Sequence, residues 1–343
     1  MSGRNADRAT LALLLAILLF TTAASTRFGA IDFSAHDMVT AVSHTLTGAS
    51  DLTLNQRIFM QLRLPRAILC LFVGACLGIG GTLMQALFRN PIVEPGMVGT
   101  SSGAAFGAAM FYVFGALLNI SLGAWALPIA ACLGGVISTY LVFALAQTKN
   151  EGRSSIILLL LTGLAINALF MSGIGYLSYI ARDPQARSII YWNLGTMSGA
   201  SWNSVFVVGS ATAAGTAAAL FCAKSLNALM IGEEEAVALG VNVARLKWVV
   251  LTINVLMVAV ATAFTGIISF VGLIVPHILR MMRGPNNRFL ITGSALLGGA
   301  LLSAADLIAR MCVRPAELPI GIVTSIVGVP VFLGLLRRRE YLF

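Results

Sequence analysis

The residues best placed to do chemistry in this chain are arginines and carboxylates set among apolar neighbours: Arg63, Arg66, Asp306, Arg310 and Glu317. Arg310 follows Asp306 by four positions, so on a helix the two share a face and pair. Carboxylates near membrane depth are costly and are usually held by partners. Arg63 and Arg66 flank Pro65. As a bare pair they read as interfacial arginines whose stems lie in lipid while their heads reach the headgroups. This is the chemistry of charge recognition. Bond-making chemistry finds less support. His277 follows Pro276 with no second His or Cys nearby, which suits a turn or cap better than a metal or haem ligand. His36 and His44 fall together in a separate polar stretch. Cys70, Cys76, Cys132, Cys222 and Cys312 sit in apolar runs without a CxxC pair and read as small buried hydrophobes. No set of His, Asp or Glu has catalytic spacing, which disfavours a membrane enzyme. The phosphate-cradling Gly-x-x-x-x-Gly-Lys-Ser/Thr loop is absent, so the chain cannot hydrolyse ATP alone.

The elements that must position these residues are membrane helices. Of 343 residues, 58% are hydrophobic and 10% charged, with mean hydropathy +0.91. A soluble domain carries about 25% charged residues. The 34 glycines would weaken helices in water but let backbones approach closely in lipid. The reading is an all-α polytopic membrane protein, one transmembrane domain over 1–343. About ten spans are expected, near 11–30, 66–87, 97–117, 123–146, 155–180, 203–223, 246–268, 270–282, 289–311 and 319–336. The first resembles a signal peptide but extends far enough to be a retained helix. The stretch 31–62 is too polar to span. The net charge of +9 reads as a positive-inside bias, and no basic soluble module points to nucleic acid. With both termini cytoplasmic, fourteen of the 22 Lys and Arg fall inside and eight outside. The outer eight ask for a reason other than topology.

Two Gly-rich helices lead into Pro-containing polar turns, Gly74–Pro95 and Gly266–Arg283. The charge-derived topology gives them opposite orientation, as in the inverted repeats of transporters. The stretch from Arg63 to Gly107, RLPRAILCLFVGACLGIGGTLMQALFRNPIVEPGMVGTSSGAAFG, resembles the permeases of type II ABC importers for iron chelates and cobalamin. The likeness continues through Ala238-Leu239-Gly240 and Arg245, GIISFVGLIVPHILR, Ala304-Ala305-Asp306, and Glu317-Leu318-Pro319-Ile320-Gly321.

The resemblance implies roles. Arg63, Arg66 and Arg310 are expected to meet acidic residues of a periplasmic substrate-binding protein, where the planar guanidinium suits carboxylates. Asn90 and Ile92, in the turn after span two, are expected to gate the cytoplasmic end with Ser154 and Ser155. Residues 224–247 are expected to form a pair of short coupling helices for the ATPase. Within them Glu233 opens the helical stretch, Ala236 and Leu239 are apolar anchors, and Gly240 ends it. The chain binds no cofactor of its own; ATP and magnesium belong to the partner ATPase. A second copy of the chain completes the pathway. That pathway is expected to be lined by Met84, Met97, Ser101, Ser102 and Met171, unless these small and flexible residues serve helix packing instead. Arg182 and Arg187 stand at its outer mouth as partners for propionates. Haem is the preferred cargo, with ferric siderophore and cobalamin as alternatives. An ion-gradient transporter is disfavoured, because it needs ionisable residues mid-span and these spans have almost none. The membrane is the bacterial inner membrane.

Overall fold

The computed structural model describes residues 2–29, 33–47, 53–115, 123–146 and 156–337. Among these residues the chain is helical, with no strand. The helices are α1 (Ser2–Arg27), α2 (Ala35–Thr47), α3 (Leu54–Ile58), α4 (Leu64–Phe88), α5 (Thr100–Phe114), α6 (Ala126–Leu145), α7 (Ile156–Ile180), α8 (Asp183–Asn193), α9 (Trp202–Ile231), α10 (Glu233–Ala238), α11 (Val243–Thr265), α12 (Val271–Arg283), α13 (Asn287–Met311) and α14 (Ile320–Arg337).

Each expected span has a helix in the expected order, but length alone does not return ten. Among the described residues, seven segments are long and apolar enough to cross a membrane: Asn5–Arg27, Leu54–Phe88, Gly123–Leu145, Leu158–Ile180, Trp202–Ile231, Val243–Thr265 and Asn287–Met311. α5 has 15 residues and α12 has 13, short of the roughly 20 a full crossing takes. The cause is local. Residues 89–99 and 266–270 are largely irregular chain that folds back into the bundle, so α5 and α12 start part-way across. Irregular backbone is tolerated at that depth where protein surrounds it.

α4 is the central element. Of its most apolar stretch, 83% is buried, against 22% for α7. Small residues make this possible. A side chain at Gly74 would strike the Gly298 carbonyl of α13, and one at Gly298 would strike that of Gly74. Such close backbone approach is how helices associate in lipid. α4 is also better anchored than its sequence suggests. Thr53 and Gln56 form a capping box for α3, and a π turn over Phe59–Arg63 carries α3 directly into α4. Pro65, the second residue of α4, lies within this continuous helical stretch and cannot donate to the preceding turn; the Met60 carbonyl there accepts from Trp202 Nε1 instead (3.0 Å).

The bundle has two polar faces. On one, the ends of α1 and α13 meet the start of α4. Arg63 donates to the Phe28 carbonyl (3.1 Å), and the N–H groups of Ile320 and Gly321 donate to the carbonyls of Gly195 and Leu194 (3.1 and 3.0 Å). On the other, Arg283 Nε donates to Thr10 Oγ1 (2.7 Å), and Asn287 Nδ2 donates to Asn227 Oδ1 (2.9 Å). We call these the arginine face and the α10 face.

The polar stretch 31–62, expected not to span by itself, holds the short helices α2 and α3 and a π turn. Two expectations are corrected. The segment 224–247 contains one short helix, not two, because α9 runs on to Ile231 before α10 begins. The loop after span five is largely helix, α8, which Pro184 helps to start in its first turn.

Candidate functional site

The charged cluster on the arginine face is assembled from residues up to 251 positions apart. Arg66 reaches from the first turn of α4 towards α13. Its Nε and Nη2 donate to Asp306 Oδ1 (3.0 and 2.8 Å), and its Nη1 donates to both carboxylate oxygens of Glu317 (3.0 and 2.8 Å). Asp306, fully buried, also accepts from Arg310 Nε through Oδ2 (2.8 Å). The other Arg310 donors serve the Phe28 carbonyl and Ser25, so the guanidinium faces inward and the residue is 3% exposed. The pair expected from four-residue spacing is therefore present, within a larger network. Ser198 Oγ donates to Glu317 (3.2 Å), and the Arg63 guanidinium lies 5.7 Å from the centre of the Phe33 ring. A depression of about 430 Å3 is lined by Arg63, Arg66, Arg310, Glu317 and Ser198 together with apolar residues. Of the three arginines expected on one surface, Arg63 and the Arg66–Glu317 edge lie nearer solvent, whereas Arg310 is buried beneath them with its donors turned inward to Asp306, Phe28 and Ser25.

The second region lies where the two folded-back segments meet, about two turns from the end of α4. A side chain on Gly81 would overlap the Gly272 carbonyl of α12, and one on Gly272 would meet Pro95. Glu94 Oε2 accepts from the Phe270 N–H (3.4 Å), which places a carboxylate at the N-terminal end of α12. A cavity of about 240 Å3 opens beside this junction, and Met97, Ser101, Ser102 and Met171 all line it. The expected path residues are thus brought together from the 95–98 turn, α5 and α7. Met84 is not among them. It is fully buried in the main apolar core, where its side chain packs helices together. Arg182 and Arg187 stand exposed at the start of α8 and do not line this cavity.

Two lining residues escaped the sequence reading. Asn167 Oδ1 accepts from Ser102 Oγ (2.5 Å), while Asn167 Nδ2 donates to the Met97 carbonyl (3.4 Å). Its signal was a lone amide in the otherwise apolar run of α7. Glu94 is the second, a carboxylate in the turn between α4 and α5.

On the α10 face, the turn after α4 is built by Arg89 in the left-handed region (φ 47°) and by Asn90, whose Oδ1 accepts from the Ile92 N–H (3.0 Å). Ile92 is 41% exposed, so it is available to a facing element. Ser154 and Ser155 lie outside the described residues. Glu233 opens α10 and pairs with Lys247 (2.8 Å). Ala236 is fully buried within the chain, so it anchors α10 to its own bundle rather than to a partner. Val237 and Leu239 are 60% and 65% exposed and form the apolar surface that remains. Gly240 (φ 82°) ends α10 with paired bonds, Gly240 N–H to the Val237 carbonyl and Val241 N–H to the Ala236 carbonyl (both 2.9 Å). This is the Schellman arrangement, in which a left-handed residue is required and glycine fits without strain.

Among the described residues no group of His, Cys, Asp and Glu forms a metal-binding constellation. The polar groups present can pair charges, hold turns and bind a ligand weakly.

The FecCD transport family matches residues 14–338. The hemin transport system permease protein HmuU of Yersinia pestis is 38% identical over 341 residues, covering 99% of both chains. The cobalamin import system permease protein BtuC of Halobacterium salinarum is 41% identical over 285 residues, covering 83% of this chain and 74% of that one. A solved inward-facing metal-chelate type ABC transporter superposes with a TM-score of 0.82 at 30% identity, covering 95% of this chain and 98% of its own. The chain belongs to the FecCD transport family and is a membrane permease of a type II ABC importer, a transport subunit whose ATP hydrolysis resides in partner chains.

Proposed function

We propose that this permease imports an iron or cobalt chelate, haem in preference to a ferric siderophore or cobalamin. The supporting observation is the likeness to the hemin permease along the full length of both chains. The lining of the central cavity is compatible with such cargo. Methionines, serines and an amide offer many weak contacts and no strong site that would trap a passing ligand. The translocation path runs between two copies of the chain, with ten membrane-crossing elements per copy and both termini in the cytoplasm of a bacterial inner membrane. Arg182 and Arg187 on α8 meet anionic groups of the cargo at the outer rim.

In this orientation the arginine face is periplasmic. An acidic substrate-binding protein docks there on Arg63 and the exposed edge of Arg66, with Arg310 bracing them from below. Asn90 and Ile92 close the inner end, opposite the start of α7. The junction of the two folded-back segments marks an inverted repeat.

The α10 face receives the ATPase. Val237 and Leu239 enter its groove as a helical apolar pair, and Gly240 fixes the angle at which they leave the membrane. Replacing both Val237 and Leu239 with glutamate is expected to weaken ATPase association on the order of tenfold or more, as for loss of an interface anchor. The permease itself should remain folded, because both side chains already face solvent. Co-purification with the ATPase subunit and size-exclusion chromatography measure the two quantities. Unchanged association in the double variant removes the coupling role from α10.

A further inference from the structure

We propose that this permease binds an anionic phospholipid headgroup in a basic cavity between α9 and α11, beside the turn that follows α10. The cavity measures about 640 Å3, its polar lining includes Lys224, Ser225, Asn242 and Arg245, and Leu239 and Gly240 of the coupling surface form part of its rim. No carboxylate lines it. Lys247, nearby on α11, is already paired with Glu233, whereas the ion pairs of the described residues include neither Lys224 nor Arg245. Both are exposed. The cavity also opens on the first turn of α11, a 23-residue helix whose Asn242 cap accepts from the Arg245 N–H (2.9 Å). A helix start carries partial positive charge, so two cations and a dipole converge on one space.

Depth in the membrane identifies the class of ligand. Trp248, three residues beyond Arg245, stacks on Tyr140 of α6 (centroids 6.2 Å apart) and packs edge-on against Phe143 (4.7 Å). Trp and Tyr concentrate at the headgroup level. Phe221 and Val249, beside the cavity on α9 and α11, are 88% and 39% exposed, as lipid-facing side chains are. The cavity therefore has basic donors at headgroup depth and an apolar edge along which acyl chains can lie. Basic pockets between membrane helices take acidic headgroups in this way. The bound lipid would wedge the root of α10, so lipid composition would bear on the coupling surface. Assignment to the inner leaflet rests on the orientation proposed above; the binding itself does not.

Native mass spectrometry of the full-length permease, titrated with phosphatidylglycerol or phosphatidylcholine, tests this without reference to transport. Phosphatidylglycerol should be retained in preference. The variant carrying Lys224→Gln and Arg245→Gln should bind it roughly twentyfold more weakly, about fivefold for each basic residue. Arg288→Gln, which removes a charge from the same face outside the cavity, should change nothing. The conservative pair Lys224→Arg and Arg245→Lys should retain binding, which separates lost charge from lost fold. Millimolar inorganic phosphate should not displace the lipid. Displacement by phosphate would reassign the cavity to a soluble phosphate-bearing ligand. Wild-type retention of phosphatidylglycerol by the double glutamine variant would overturn the proposal, and if that variant also lost ATPase association the cavity would belong to the coupling surface.

Discussion

Asp306→Ala is expected to be the most destabilising single substitution on the arginine face. The carboxylate is fully buried and holds two guanidinium groups at once, Arg66 at 2.8 Å and Arg310 at 2.8 Å. Its removal leaves both charges in place with their main counter-ion gone. Arg310, 3% exposed, cannot turn to water without breaking its bonds to Ser25 and Phe28. Breaking a buried ion pair from one side costs about 3–5 kcal/mol. Glu317→Gln is the matched control. Glu317 has a side chain 37% exposed and meets Arg66 at the edge of the cluster, so its loss should cost about 1 kcal/mol or less. Thermal unfolding in detergent compares the two variants. Equal stability would show that the network is not what ties α1, α4 and α13 together.

The second large effect is steric. Gly81→Ala is expected to be destabilising and to impair transport, although alanine is the better helix former by roughly 1 kcal/mol. The added methyl meets the backbone carbonyl of Gly272, which cannot swing aside as a side chain can. α4 and α12 must separate, at a cost of about 1–3 kcal/mol or more for overpacking. The separation also loosens the Glu94–Phe270 contact at the mouth of the central cavity. Gly175→Ala on α7 serves as the reference, because nothing lies within 4 Å of a side chain there. That variant should match or exceed the stability of the wild type. If Gly81→Ala behaves like Gly175→Ala, the two folded-back segments are not packed as described.

These two sites show what was legible in the sequence. Hydropathy located every helix that crosses the bundle, because lipid imposes apolar length on a segment whatever its neighbours are. It placed α12 to within a residue but ran α5 a few residues too long at both ends, because Met97 and Val98 before it and the residues after Phe114 are apolar too, and hydropathy cannot tell helix from a turn. Four-residue spacing gave the Asp306–Arg310 pair. It could not give Arg66 as the second partner of Asp306, because that contact joins residues 240 positions apart. Local charge misled in the 224–247 segment. Its polar start looked like a separate helix, yet Leu226 and Leu229 are buried and continue α9. Ala236 was the right kind of residue to anchor α10, but it anchors it inward. Asn167 was overlooked since one amide barely moves the mean of an apolar run, although an isolated polar group in lipid signals a partner.

A permease that forms the path of an ATP-driven importer for a metal chelate accumulates that cargo only when ATP and its partner chains are present. The most direct measurement is uptake into proteoliposomes containing the permease with its ATPase subunits, with the substrate-binding protein loaded in turn with haem, a ferric siderophore or cobalamin. Haem accumulation is expected to require ATP and to be lost when Val237 and Leu239 are both replaced by glutamate. Accumulation of another chelate without haem would replace the cargo and leave the importer standing. Accumulation driven by an ion gradient, with no ATPase subunit present, would contradict the account itself.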